Sequence, residues 1–241
     1  MSETMNTKNL IFAACAALLL ISCKEEKEKP KVIYESTPRA KDAAVAPDTT
    51  QIEVADLPVM ITGTDYLIHP IGDLRINDRA RASATGSDVS YSISNYGEFE
   101  ITGFLRNLKF QQKDSDSLCV LTDKPVMIQT ASFLKPVADK LKKQLMVYTL
   151  SDMDTNKDGK IDSNDIRSLY ISHIDGSHFV KLSTDFEELI DWKLVENVNR
   201  LYFRTIEDTN KNGEFDKNDI VHYHMVDLSA KEFKPVDYKP V

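Results

Sequence analysis

A chain of 241 residues, 41% hydrophobic and 8% aromatic, carries enough apolar side chains for one sizeable core or two small domains. Its formal net charge is −8, and Lys and Arg form no basic stripe, which excludes nucleic acid as the expected partner and favours cations.

The chain begins with a targeting pattern. Lys8 precedes an apolar run from Leu10 to Ile21 that ends in Leu20-Ile21-Ser22-Cys23, so residues 1–22 read as a signal peptide. Those 12 residues fall short of the roughly 20 that a membrane-spanning helix needs. The Leu-x-Ser-Cys ending resembles the bacterial lipoprotein signal, which implies that Cys23 is lipidated and holds the protein on a membrane. Lys24-Glu25-Glu26 resembles the export signal of surface lipoproteins in the Bacteroidota, and a solvated charge run accounts for it equally well. The resulting expectation is a lipid-anchored outer-membrane protein, with exposure on the cell surface as a further possibility.

Residues 23–56 are Lys/Glu-rich and then Ala/Pro/Thr-rich, the composition of a flexible lipidated tether. Residues 57–241 form the expected domain, which is mainly β, built of antiparallel sheets or propeller-like blades. Period-two stretches and β-branched residues predict strands over Val59–Thr62, Tyr66–His69, Val89–Ser94, Phe104–Gln111, Ser117–Thr122 and Val126–Thr130. Pro136, with Val137, Leu141 and Leu145 at i, i+4 and i+8, predicts one short helix. Cys15 leaves with the signal peptide and Cys23 carries lipid, so Cys119 has no partner and reads as a small core residue.

An internal repeat with an offset of 54 residues follows. Asp154-Thr155-Asn156 aligns with Asp208-Thr209-Asn210, Gly159 with Gly213, Asp162 with Asp216, and Asn164-Asp165-Ile166 with Asn218-Asp219-Ile220. The first loop runs from Asp154 to Asp165 and the second from Asp208 to Asp219, and both resemble the EF-hand calcium loop. Calcium takes about six to eight oxygen ligands, which alternate Asp and Asn side chains can supply by converging on one ion.

That resemblance implies two Ca²⁺ sites. In the first, positions 1, 3, 5, 9 and 12 are Asp154, Asn156, Asp158, Asp162 and Asp165, and Lys160 at position 7 offers its main-chain carbonyl. In the second, the same positions are Asp208, Asn210, Asn212, Asp216 and Asp219, with Glu214 lending its carbonyl. Glycine at position 6, here Gly159 and Gly213, permits the left-handed turn. An EF-hand normally closes with Glu at position 12. Aspartate there resembles the dockerin loops and related extracellular calcium loops instead. Asp, Asn and Gly also make good turns without any ion, but a turn needs neither the position-9 nor the position-12 acid.

Strand-like sequence flanks the loops. Asn199 to Ile206 is aromatic and β-branched, and Ile220, His222, His224, Val226 and Leu228 alternate with Val221, Tyr223 and Met225. The exit of the first loop suits a short helix or a strand, and hairpin tips are the preferred setting for both loops. Leu169 to Ser183, with its Asp175-Gly176-Ser177 turn, resembles the repeat of Tol-system periplasmic β-propellers, although Ser183 stands where those repeats have Thr. At most four blades of about 40 to 45 residues would fit.

No catalytic residue is expected. His222 and His224 share one strand face and could furnish two ligands of a transition-metal site, but spacing shows no third ligand, and a solvent-facing position is the simpler expectation. Trp192 reads as a core or blade-packing residue. The sequence therefore points to a calcium-binding envelope protein whose loops stiffen a surface for an unidentified envelope protein or glycan. The alternative is a calcium-stabilised envelope enzyme such as a glycan-acting hydrolase, which would show paired carboxylates in a cleft away from the loops.

Overall fold

A computed structural model describes residues 30–34, 51–75 and 92–241. The signal-peptide run, Cys23, Lys24-Glu25-Glu26 and the first half of the strand expected at Val89–Ser94 lie outside these residues. The fold is mainly β, in two antiparallel sheets. The larger contains β1 (Gln51–Ala55), β2 (Val59–Met60), β3 (Tyr66–Arg75), β4 (Ser94–Tyr96), β5 (Glu100–Gln112), β6 (Leu118–Val120), β7 (Met127–Phe133), β8 (Leu145–Ser151), β9 (Ser168–His173) and β10 (Val180–Lys181). Its main path runs β1-β3-β5-β7-β8-β9-β10. The smaller sheet is a meander of β11 (Glu187–Val195), β12 (Arg200–Glu207), β13 (Ile220–Asp227) and β14 (Val236–Asp237).

Among the described residues one α-helix, α1 (Lys135–Leu141), links β7 to β8. Pro136 sits in its first turn, where a missing N–H costs no intrahelical bond, and Lys142 ends it in a left-handed conformation. Leu145, expected on the same helical face, instead begins β8 because the helix has already closed.

All seven residues of β8 are buried, and strand periodicity explains how. Side chains alternate between faces, so Met146, Tyr148 and Leu150 enter one core with Ile128, Leu105 and Phe110. Leu145 and Val147 enter a second core with Leu134 and Val137 beside α1, Leu169 and Ile171 of β9, and Leu201, Phe203 and Val226 of the smaller sheet. The smaller sheet thus covers one face of the larger at β8 and β9. Tyr148 is fully buried, and it meets its polar need through the Ser172 hydroxyl at 2.8 Å.

Several expectations change. The segment read as tether contains β1, which pairs antiparallel with β3, and a short stretch at residues 30–34 whose Val32 is buried. Cys119 is exposed rather than in the core, because β6 pairs only with β5 and all three of its residues face solvent. Trp192, expected to pack in a core, does pack against the second core, partly buried. The four-strand meander has the strand number of one propeller blade, whereas the larger sheet has ten strands. The Asp-Gly-Ser turn between β9 and β10 places Gly176 at φ +81°, directly over the Phe110 ring.

Candidate functional site

Both repeated loops occupy hairpin tips. The first joins β8 to β9 and the second joins β12 to β13, each between directly paired antiparallel strands. No helix flanks either one.

The two loops fold alike, position for position. At position 1, Asp154 accepts the N–H groups of Asp158 at 3.1 Å and Gly159 at 2.9 Å, while Asp208 accepts those of Asn212 at 3.1 Å and Gly213 at 2.7 Å. Asn156 and Asn210 each accept the position-5 N–H at 2.9 Å. The position-5 oxygens of Asp158 and Asn212 accept the N–H groups of Lys160 and Glu214. Asp162 and Asp216 accept those of Asn164 and Asn218. The side-chain oxygens thereby cap the loop's own N–H groups; they are all hard oxygens, but among the described residues no three of the loop acids bring carboxylate oxygens within 4.8 Å of one another. Backbone geometry repeats as well. Position 4 is left-handed in both loops, at Lys157 (φ 57°) and Lys211 (φ 56°), and both position-6 glycines have φ 85°.

The position-12 acids close each loop. Asp165 accepts the N–H groups of Thr155 at 2.8 Å, Asn156 at 3.2 Å and Asp162 at 2.9 Å, and Asp219 accepts those of Thr209 at 3.1 Å and Asp216 at 2.8 Å. The short Asp arm lets the carboxylate reach the loop backbone; Asp165 Oδ1 already meets three donors, and Oδ2, which meets only the Asp162 N–H, keeps a lone pair for a cation. Asp165 is fully buried, and burial pushes its carboxyl above the usual range against hydrogen bonds from Asp162, Asn156 and Thr155 that pull it down. The loop carboxylates sit mainly on their own loop's N–H groups, so ion binding in this geometry would draw on their remaining lone pairs.

What sequence reasoning missed is a strap across both loops. Lys31 N–H donates to the Gly213 carbonyl at 2.9 Å, and Ile33 N–H donates to the Thr155 carbonyl at 2.9 Å. The Thr155 hydroxyl lies 2.8 Å from the Lys31 carbonyl and accepts the Ile166 N–H at 3.1 Å. Tyr34 lies against Asp208; burial, then the charge of Asp208 and a hydrogen bond to it, push the phenol up to about 12. The Lys31 ammonium meets the buried Glu188 carboxylate at 3.0 Å. Five residues without periodicity give no strand or helix signal, and their partners are main-chain groups of distant loops.

The glycines test the strap. A Cβ on Gly213 would lie 2.3 Å from the Val32 carbonyl oxygen and 2.7 Å from Pro30, whereas one on Gly159 meets nothing within 4 Å. Both positions carry left-handed strain worth about 1–2 kcal/mol for a non-glycine residue. Gly213→Ala should cost a further 1–3 kcal/mol, roughly, because the strap must shift. Thermal unfolding of the two variants measures the difference, and equal losses would refute strap docking.

The histidine expectation also changes. His224 is buried, because β13 lies between β12 and β14 and its ring stacks on Phe203 at 4.7 Å. Its Nδ1 is 2.8 Å from Asp237 and its Nε2 is 3.1 Å from the Thr205 hydroxyl oxygen. That hydroxyl donates to Glu187, so its oxygen is left to accept from Nε2. Nδ1 therefore faces a carboxylate and Nε2 a hydroxyl oxygen. Burial opposes the charge, but Glu187 and Asp237 outweigh it and raise the pKa of His224. Asp237, His224 and Thr205 connect in the order of a nucleophile triad, yet Thr205 is fully buried and its hydroxyl is held as a donor to Glu187. His222 is half-buried, with Nε2 2.9 Å from Glu207.

Comparison with protein-family models, with curated proteins and with solved structures found no match, so the functional reading rests on this chain's own residues.

Proposed function

We propose that this is a calcium-binding, lipid-anchored protein of the bacterial cell envelope in which two EF-hand-like loops stiffen a β-domain that serves as a binding or scaffolding surface. The observation that carries the reading is the duplicated loop. Two hairpin tips share the acids at positions 1, 9 and 12, the left-handed positions 4 and 6, and the N–H groups that the position-1 acid accepts. Asp154, Asn156, Asp158, Asp162 and Asp165 would hold one ion with the Lys160 carbonyl. Asp208, Asn210, Asn212, Asp216 and Asp219 would hold the other with the Glu214 carbonyl.

Strand-flanked loops favour a structural role, since calcium switching in sensor EF-hands depends on a helix pair that opens. Extracellular calcium modules bind at about 10⁻⁴ to 10⁻³ M, which suits a compartment rich in the ion. Calorimetric titration of the full-length protein should reveal two calcium ions per chain. Absence of calcium heat, with the protein folded, would end this reading.

The lipid anchor rests on Leu20-Ile21-Ser22-Cys23, and among the described residues no helix is long and apolar enough to cross a membrane. A Cys23→Ala variant should therefore leave the membrane fraction for the soluble one. Continued sedimentation with membranes after signal cleavage would refute lipid anchoring.

A further inference from the structure

On the face of the smaller sheet that carries His222, three ionisable side chains from three adjacent strands converge. Glu187 of β11 stands opposite Glu207 of β12 in the strand register, and Thr205, two residues before Glu207, stands opposite His222 of β13. Strands about 4.8 Å apart with period-two side chains place all of these groups on one face. One potential ligand atom from each of Glu187, Glu207 and His222 lies within 4.8 Å of the other two, and among the described residues no other group of three or more His, Cys, Asp or Glu does so.

We infer that Glu187, Glu207 and His222 form a transition-metal site, with zinc the ion its chemistry fits best, separate from the two calcium loops. Two carboxylates and an imidazole form a mixed oxygen and nitrogen donor set, which suits zinc and its first-row neighbours better than calcium. Three protein ligands also leave a fourth tetrahedral position for water or a bound molecule.

The surroundings support this assignment. Glu187 is buried and fixed, since Thr205 donates to its Oε2 and His224 Nε2 lies 3.8 Å from the same atom. Asp237 holds His224 from the other side at 2.8 Å. Such a chain of outer groups orients a ligand carboxylate in the way that metal sites commonly use. Glu207 is exposed and His222 half-buried, so these two can close on an ion without disturbing the core. Their present contact at 2.9 Å is a hydrogen bond that a metal would replace. Glu187, Glu207 and Asp237 bring three carboxylates to this face, which favours a cation.

The test uses the full-length protein in detergent with Cys119→Ser, which removes an exposed thiol able to bind zinc on its own. With calcium saturating, zinc is titrated by calorimetry and cobalt by its visible absorption. One zinc ion per chain is expected, and the cobalt bands should have the intensity of a four-coordinate site. His222→Ala and Glu207→Gln should each weaken zinc by about 100-fold or more, since even outer-shell changes cost about 10–100-fold. His222→Ala should leave calcium uptake unchanged, which separates this site from the loops. The proposal fails if the unmutated protein binds no zinc, or if both folded variants bind it as tightly as the unmutated protein does.

Discussion

Calcium at 10 mM will raise the unfolding temperature, and Asp154→Ala will remove more of that gain than Asp208→Ala. An ion bound only by the folded state stabilises it by mass action, by about 2.7 kcal/mol per site at 100 times its dissociation constant. For a domain of this size that is roughly 5–10 °C per site. The ordering comes from charge. Asp154, Asp158, Asp162 and Asp165 give the first loop four carboxylates, whereas Asn212 leaves the second loop with Asp208, Asp216 and Asp219.

Because the two loops share their hydrogen bonds at positions 1, 3, 5 and 9 and their left-handed angles at positions 4 and 6, charge is the main difference between those ligands. Their burial differs at the ends. Position 1 is buried in the second loop at Asp208, and position 12 in the first at Asp165. Asp208→Ala also strands the buried Gly213 N–H, while the Asn212 N–H keeps Asn210 as acceptor, so it will lower the calcium-free unfolding temperature. The comparison must therefore use the increment produced by calcium, measured by calorimetry with and without a chelator. Equal increments in the two variants would reject the charge argument.

The loops were legible because side-chain identity carries their geometry. Glycine was needed where φ is positive at Gly159 and Gly213, and alternating oxygen side chains were needed to accept the loop's own N–H groups. Alternation in β13 likewise placed His222 and His224 on one face. It could not show that β14 would bring Asp237 against His224, or that Glu187 and Glu207 would stand beside His222 across the sheet. Those contacts depend on strand register between segments distant in sequence. Cys119 was misread for a related reason: an apolar run without alternation has no sidedness, and only pairing showed that β6 lies on the outside. The strap escaped because residues 30–34 dock through main-chain groups, which any sequence possesses.

Replacing Glu188 will cause the largest loss among the polar groups around the loops. Its carboxylate is buried and accepts three bonds: Arg167 N–H at 2.9 Å, Arg167 Nε at 2.7 Å, and Lys31 Nζ at 3.0 Å. Arg167 also donates Nη2 to the Leu189 carbonyl at 2.9 Å, and Leu189 N–H returns to the Arg167 carbonyl at 2.9 Å. One side chain thus ties the exit of the first loop to β11 and to the strap. Removing one partner of a buried ion pair costs about 3–5 kcal/mol, because the other partner is left unpaired. Here the Arg167 and Lys31 side chains are each 37% exposed and can recruit water, so Glu188→Ala should cost about 2–3 kcal/mol, below that range. Glu188→Gln keeps an acceptor for the Arg167 N–H and should lose about 1 kcal/mol. The exposed Arg204 and Asp191 pair provides the contrast, and Asp191→Ala should change stability by about 0–1 kcal/mol. Urea unfolding in the presence of a chelator measures all three without any contribution from calcium. If Glu188→Ala is no more harmful than Asp191→Ala, the carboxylate is not the tie between strap, loop and sheet.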